Sequence, residues 1–253
     1  MTFKDHFSVA ASGYAAHRPV YPRAVAEALA ARSPGRSVVW DAGCGSGQLS
    51  VVLAAAFDQV VATDASAAQI AEAVPHVRVR YAVAPAEVSG LPDDSVSCAV
   101  AAQAAHWFDL DAFYREVARV LKPDGVLALW CYGILTIAPG IDAILHRFEH
   151  ERVGPWWPAE RRHVDSEYRT LPFPYARIDA PVFVMEARLT RPALLGYLGS
   201  WSAVSRCRAA TGEDPLGPLD AELAPLWSAA ESKLVRWPLT VVAGRAPAST
   251  PHA

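Results

Sequence analysis

A short apolar run, Ser37 to Trp40, ends in an acid, Asp41, and passes at once into glycines at alternate positions, Gly43, Gly45 and Gly47, before apolar residues resume at Leu49. A join of this kind ends a strand in a tight turn, because glycine enters left-handed backbone without a Cβ penalty. A helix follows on the far side. Strand, glycine turn and helix in that order belong at the carboxyl edge of a parallel sheet, where such folds hold their ligands. The turn also limits the ligand. A dinucleotide fingerprint needs its third glycine where Gln48 stands, and a phosphate loop needs a Gly-Lys-Ser/Thr ending, whereas no lysine occurs between Lys4 and Lys122. With no lysine or arginine in or beside the turn, the site suits a ligand without a phosphate cluster.

The surrounding pattern extends the unit into a series. β-rich runs are expected at Ser37–Asp41, Val60–Asp64, Val77–Ala82, Val96–Ala101 and Val126–Cys131, with helical segments at Tyr21–Arg32, Gln48–Phe57, Ala67–Ala73 and Asp111–Leu121. This alternation predicts an α/β fold with a doubly wound, mostly parallel, seven-stranded sheet. Beyond Tyr132 prolines and tryptophans become frequent, and helices are expected at Ile141–Arg152, Pro192–Trp201 and Ala221–Val235, with strands at Val182–Leu189 and Trp237–Gly244. The expected organisation is a ligand-binding core with an N-terminal lid segment over residues 1–133 and a substrate insertion over 134–180. Completion of the sheet with a further helical lid segment occupies 181–245, and a low-complexity disordered tail 246–253.

Composition removes several partners. A net charge of −3, with 52% apolar residues, gives a large core but no global attraction for nucleic acid or anionic lipid. The N-terminal stretch lacks the apolar segment of a secretory signal, and no apolar run is long enough to span a bilayer, so a cytoplasmic protein is expected. Cys44, Cys98, Cys131 and Cys207 form no Cys/His cluster, which argues against a structural metal and fits reduced thiols.

"DAGCGSG" after a strand, followed by "VVATDAS", resembles the class I S-adenosylmethionine-dependent methyltransferases. "APAEVSGLPDDSVSCAV" and "LKPDGVLAL" are similar to later segments of the same family, the second with Pro123 and Gly125 setting a chain reversal. The resemblance implies S-adenosylmethionine as cofactor. Asp41, Gly43, Cys44, Gly45 and Gly47 would form its loop, Asp64 with Ala65 would meet the ribose hydroxyls, Ala86 and Glu87 would line the adenine, and Gln103 would meet the amino-acid or sulfonium side.

"YAAHRPVYP", "AAQAAHWFD", "VGPWWPAERRHVDSEYRTLPFP" and "GYLGSWSAVSR" together resemble the bacterial relatives of trans-aconitate methyltransferase. That resemblance implies that Tyr14 and Arg18 close over the methionine end. It also implies a small-molecule acceptor, first a carboxylic acid to be esterified. N-methylation of a heteroaromatic or hydroxyl O-methylation of a specialised metabolite is the alternative, and a non-catalytic S-adenosylmethionine binder a further one. Trp107, Tyr132, Trp156, Trp157, Tyr168 and Trp201 can wall an aromatic pocket, with Arg161 or Arg162 holding an anionic group. His106, beside the end of the fourth strand, is the candidate general base if the acceptor needs one. A carboxylate acceptor, already deprotonated, needs none.

Overall fold

The computed structural model describes residues 19–247. Tyr14 and Arg18, and residues 248–253 of the expected tail, lie outside the described residues. Ten helical residues, Arg23–Arg32 (α1), lead into β1 (Val38–Ala42), the glycine turn and α2 (Gln48–Leu53). Then come β2 (Gln59–Asp64), α3 (Ala67–Ala71), β3 (Val79–Val83), β4 (Val96–Ala102), α4 (Leu110–Val120) and β5 (Leu121–Tyr132). Strands β1 to β5 are mutually parallel in the order β3-β2-β1-β4-β5. The strand order therefore reverses between β1 and β4, and the crevice at their carboxyl ends is where such sheets bind ligands.

Local chemistry sets several boundaries. Ser66 Oγ accepts from Gln69 N at the start of α3, and Asp109 Oδ1 accepts from Ala112 N at the start of α4, so each cap satisfies an orphan helix donor. Phe113, Val117 and Val120 fall on one face of α4 and pack with Trp40 of β1, all fully buried. The opposite face of the sheet, with Val39, Val100 and Trp130, packs against α1, α2 and the later helices. The turn expected at Pro123 and Gly125 is a bulge inside β5: Asp124 has φ +60° and the β4–β5 register shifts between Val96 and Cys98.

After Tyr132 the chain runs through α5 (Pro139–Arg147), a π-helical segment (Phe148–Arg152), a 3-10 turn (Gly154–Trp156) and the short α6 (Arg161–Asp165). β6 (Ala176–Ile178) and β7 (Phe183–Thr190) then pair with successive parts of β8 (Ser232–Arg245), so an edge strand broken near Pro181 raises the count from seven strands to eight. Three helices, α7 (Arg191–Gly199), α8 (Ser202–Thr211) and α9 (Leu216–Leu223), separate β7 from β8.

Two expectations fail here. A helix over Ala221–Val235 is not formed: α9 ends at Leu223, and Ser232 already belongs to β8. The reason lies in Val235, Trp237 and Leu239, whose period of two buries alternate side chains against the sheet. The helix α8 falls between the two helices expected there, in a stretch for which the sequence predicts no element. Pro238 is tolerated inside β8 because its nitrogen faces the side on which Arg236 exchanges backbone bonds with Thr136, and β5 pairs only as far as Leu239. Among the described residues no helix is long and apolar enough to cross a membrane.

Candidate active site

The parallel register brings the carboxyl ends of β1, β2 and β3 level, pairing Ala42 with Thr63 and Asp64 with Val83. Gly43, Gly45 and Gly47 have φ of +68°, +55° and +81°, all in the left-handed region that glycine tolerates. Two of them are also demanded by packing. A Cβ on Gly43 would stand 2.7 Å from Ala104 Cβ and 2.9 Å from Phe108 Cζ, and one on Gly47 would stand 2.6 Å from the Tyr81 ring. A Cβ on Gly45 would meet only Gln69 Oε1, at 3.6 Å.

The hydrogen bonds of the turn explain why it is not a phosphate cradle. Gly43 N and Cys44 N donate to Thr63 O, Gly47 N donates to Cys44 O, and Gly45 N donates to Asp64 Oδ2 at 2.8 Å. A loop that grips phosphate needs those N–H groups free. Here they are consumed internally. Two carboxylates flank the turn instead. Asp41 is buried and accepts from Ser50 Oγ at 2.6 Å; burial is the larger influence and pushes its pKa up to about 7. Asp64, half-buried, also accepts from Ser66 N through Oδ1. Burial pushes the Cys44 thiol up, so it stays neutral, and Tyr81 is pushed up to about 12. A backbone cradle with acidic neighbours and, among the described residues, no basic side chain in the turn fits S-adenosylmethionine, which carries a sulfonium, an ammonium and hydroxyl donors.

Ala86 is buried three residues past Val83, the end of β3 that pairs with Asp64. Glu87 Oε1 accepts from Asp109 N at the start of α4, so this carboxylate ties the β3 and β4 loops together. Ala65 lies in the turn closed by Asp64 and Ser66.

Beyond β4 and β5 the two helical segments meet over the strand ends and border a pocket open to solvent. Gln103, His106, Trp107, Tyr132, Trp157, Arg161 and Trp201 all line it, joined by Tyr197, Ser200 and Ser202, which the sequence reading did not single out. Tyr197 and the two serines lie at the α7–α8 junction; the sequence predicts the first of these helices and not the second. Three of the expected residues stand elsewhere. Trp156 packs against the core, Tyr168 is buried outside the lining, and Arg162 is exposed.

Gln103 has φ +53°, and its Nε2 donates to Tyr132 O at 2.7 Å, which fixes the carboxamide across the β4 and β5 ends. Arg161 is held from three sides: Nη2 donates to Glu149 Oε1 and Nε to Asp165 Oδ1, each at 2.7 Å, while the guanidinium lies 4.3 Å from the Trp157 ring centre. Glu149 sits in the π-helical segment, and burial raises its pKa even against Arg161. His106 Nδ1 is 2.8 Å from Tyr168 Oη. Burial, then the nearby Arg161 and His163, push the imidazole pKa down to about 3, so His106 is neutral at physiological pH.

Known proteins share this plan. Residues 40–129 match the family described as a methyltransferase domain. A Dictyostelium discoideum protein assigned by name to the methyltransferases is 30% identical over 239 residues, 92% of this chain and 91% of its own. A solved structure from Anaeromyxobacter dehalogenans, assigned by name to the type II methyltransferases, is 47% identical. It covers 92% of this chain and 100% of its own, with a TM-score of 0.87. A Mycobacterium tuberculosis protein assigned by name to the S-adenosylmethionine-dependent methyltransferases is 36% identical over 138 residues, 52% of this chain and 47% of its own.

Proposed function

Because the chain belongs to the class I S-adenosylmethionine-dependent methyltransferases, we propose that this enzyme esterifies a small organic acid at a carboxylate oxygen. S-adenosylmethionine supplies an electrophilic methyl group when bound. The glycine turn and Asp41 would hold its amino-acid part, Asp64 and Ala65 its ribose, and Ala86 and Glu87 its adenine, the roles that the family resemblance implies. Residues 134–180 and the helices after β7 form the substrate lobe in this reading. Free cysteines at all four positions suit a reducing compartment, and we place the enzyme in the cytoplasm.

The observation that carries the acceptor class is the pairing of Arg161 with a neutral His106 in one aromatic wall. Arg161 keeps one terminal nitrogen without a partner among the described residues, so its planar fork can donate to an anion. A carboxylate arrives ionised and needs only to be held in line with the methyl carbon, with water excluded by Trp107, Trp157 and Trp201. An alcohol or amine would call for a group that takes a proton, and an imidazole with its pKa near 3 takes one poorly.

The test is a panel of small carboxylic acids, their primary amides and the matching alcohols, each incubated with enzyme and isotopically labelled S-adenosylmethionine. Label in esters that release methanol in mild alkali supports the reading. Label only in alkali-stable ethers or N-methyl products overturns it in favour of hydroxyl or heteroaromatic methylation.

A further inference from the structure

Two consecutive non-glycine residues, Glu167 and Tyr168, have φ of +53° and +58°. A pair of left-handed residues with side chains is a strained arrangement that the surrounding structure must hold, and such strain gathers at functional sites. Here the turn is pinned by Glu167 N donating to Val164 O and Tyr168 N to His163 O, at 2.8 and 2.7 Å. Its effect is to bury Tyr168, 1% exposed, directly behind the pocket wall. The phenol meets His106, which lines the pocket, while standing outside the lining itself.

The hydrogen-bond inventory of that contact has one satisfactory solution. Tyr168 Oη meets His106 twice, at the ring Nδ1 and at the backbone N–H, and the latter can only donate to the phenol oxygen. If Nδ1 carried the imidazole proton, it would donate to the phenol oxygen, and the phenolic O–H would be buried with no acceptor, an arrangement native interiors rarely keep. If the phenol donates, both groups are satisfied, and the ring proton of the neutral imidazole resides on Nε2. His106 lines the pocket while Tyr168 does not, so Nε2 is the nitrogen left for a ligand.

We infer that Tyr168 donates to His106 Nδ1 and holds the imidazole in its Nε2–H form, so that His106 offers the acceptor a hydrogen bond and no basic lone pair. Tyr168 is thus a positioning residue and His106 a binding one. The inference rests on the proposed acid acceptor, whose carboxylate gains a second donor beside Arg161. Charged and titratable groups around the ring are consistent with it: Arg161 and His163 on α6 both oppose an imidazolium, and Cys131 of β5, near Tyr168, is buried and neutral.

The proton is read directly on the full-length enzyme with nitrogen-15-labelled histidine and saturating S-adenosylhomocysteine, by long-range proton–nitrogen spectra between about pH 6 and 8. His106→Gln identifies the signal. Nδ1 bare and Nε2 protonated throughout is the expected result; a proton on Nδ1, or an imidazolium in that range, overturns the inference. Kinetics supply the second arm. Tyr168→Phe should raise the KM of an accepted acid about five- to tenfold with kcat within about twofold, since a donor to a charge that fades in the transition state acts mainly on binding. His106→Gln, which keeps an N–H donor, should retain more activity than His106→Ala; a loss of kcat of about a hundredfold in the glutamine variant at unchanged KM would show a base and sink the inference. If the Nε2–H form is found and no acid is methylated, the acceptor class fails alone.

Discussion

The cradle at β1 and β2 and the pocket beyond β4 and β5 share one sheet edge but are built in different ways. The cradle is made almost wholly of backbone and two carboxylates contributed by a span of about twenty-five residues, Asp41 to Ser66, paired by a single strand register. The pocket takes side chains from Gln103 to Ser202, on β4, β5 and two separate helical segments. The first is local in sequence and electronegative. The second is assembled over long range, aromatic, and contains a clamped arginine. The difference teaches that one sheet edge can carry two sites of opposite electrostatic character, a cofactor cradle read from local sequence and a pocket built by tertiary packing.

The largest effect should follow a blow to the cradle. Gly43→Ala places a Cβ against Ala104 and Phe108 at a left-handed position, and should cost about 2–4 kcal/mol of stability from backbone strain and overpacking together. Urea unfolding measures it, and an unchanged midpoint would break the packing account of that glycine.

On the pocket side, Arg161→Leu strands the buried Glu149 carboxyl. We expect about 2–4 kcal/mol of destabilisation, partly recovered in the Arg161→Leu, Glu149→Gln double variant. Equal stability of the single and double variants would show that the pair is not coupled.

Asp64→Ala should weaken S-adenosylmethionine by about 1–3 kcal/mol. Some of that loss comes from freeing Gly45 N and Ser66 N, since Asp64 holds the turn as well as facing its ligand. Calorimetry on Asp64→Asn, which retains one oxygen acceptor, separates the two parts: an intermediate affinity is expected.

Acid and base sharpen the contrast further, because the two regions titrate in opposite senses. Asp41 is raised from an ordinary 3.8 to about 7. The folded chain therefore holds a proton that the unfolded chain releases, and this contribution to stability is present below pH 3.8 and lost as the pH climbs through 7. His106 is lowered from 6.5 to about 3. Its contribution is present above pH 6.5 and lost as the pH falls towards 3. Both slopes lie on the acid-to-neutral side: Asp41→Asn should remove a fall in the unfolding midpoint as the pH rises from about 4 to 7, and His106→Gln part of a rise between about pH 3 and 6.5. The smallest effect is reserved for Arg162→Ala, exposed and outside the pocket, which should change stability and turnover by no more than about 0.5 kcal/mol.

The same contrast explains what could be read from residues alone. Strands β1, β2, β4 and the second half of β5 are largely buried and appear as apolar runs, and the glycines declare the turn. In the second half, tertiary pairing overrides local preference: Lys233 to Arg236 follow an alanine- and glutamate-rich stretch of helical composition, yet β7 draws them into a strand. Aromatic residues announced a pocket without saying which of them face it. Trp157 and Trp201 turn inward, while Trp156 and Tyr168 pack behind, and that choice is made by the π-helical segment and the left-handed turn at Glu167, features with no periodic signature. Gly43 and Gly47, read as room for a ligand, are equally required by Ala104, Phe108 and Tyr81, partners far away in sequence.

The measurement that bears most directly on the two-region account is a calorimetric titration of S-adenosylhomocysteine into the wild-type enzyme, Asp64→Ala and Arg161→Leu, with NAD as control. The account predicts at least about a fivefold weakening in Asp64→Ala, affinity within about twofold of wild type in folded Arg161→Leu, and no binding of NAD. Loss of affinity in Arg161→Leu with Asp64→Ala unaffected would contradict it, placing the cofactor in the aromatic pocket and leaving the glycine cradle as a structural turn.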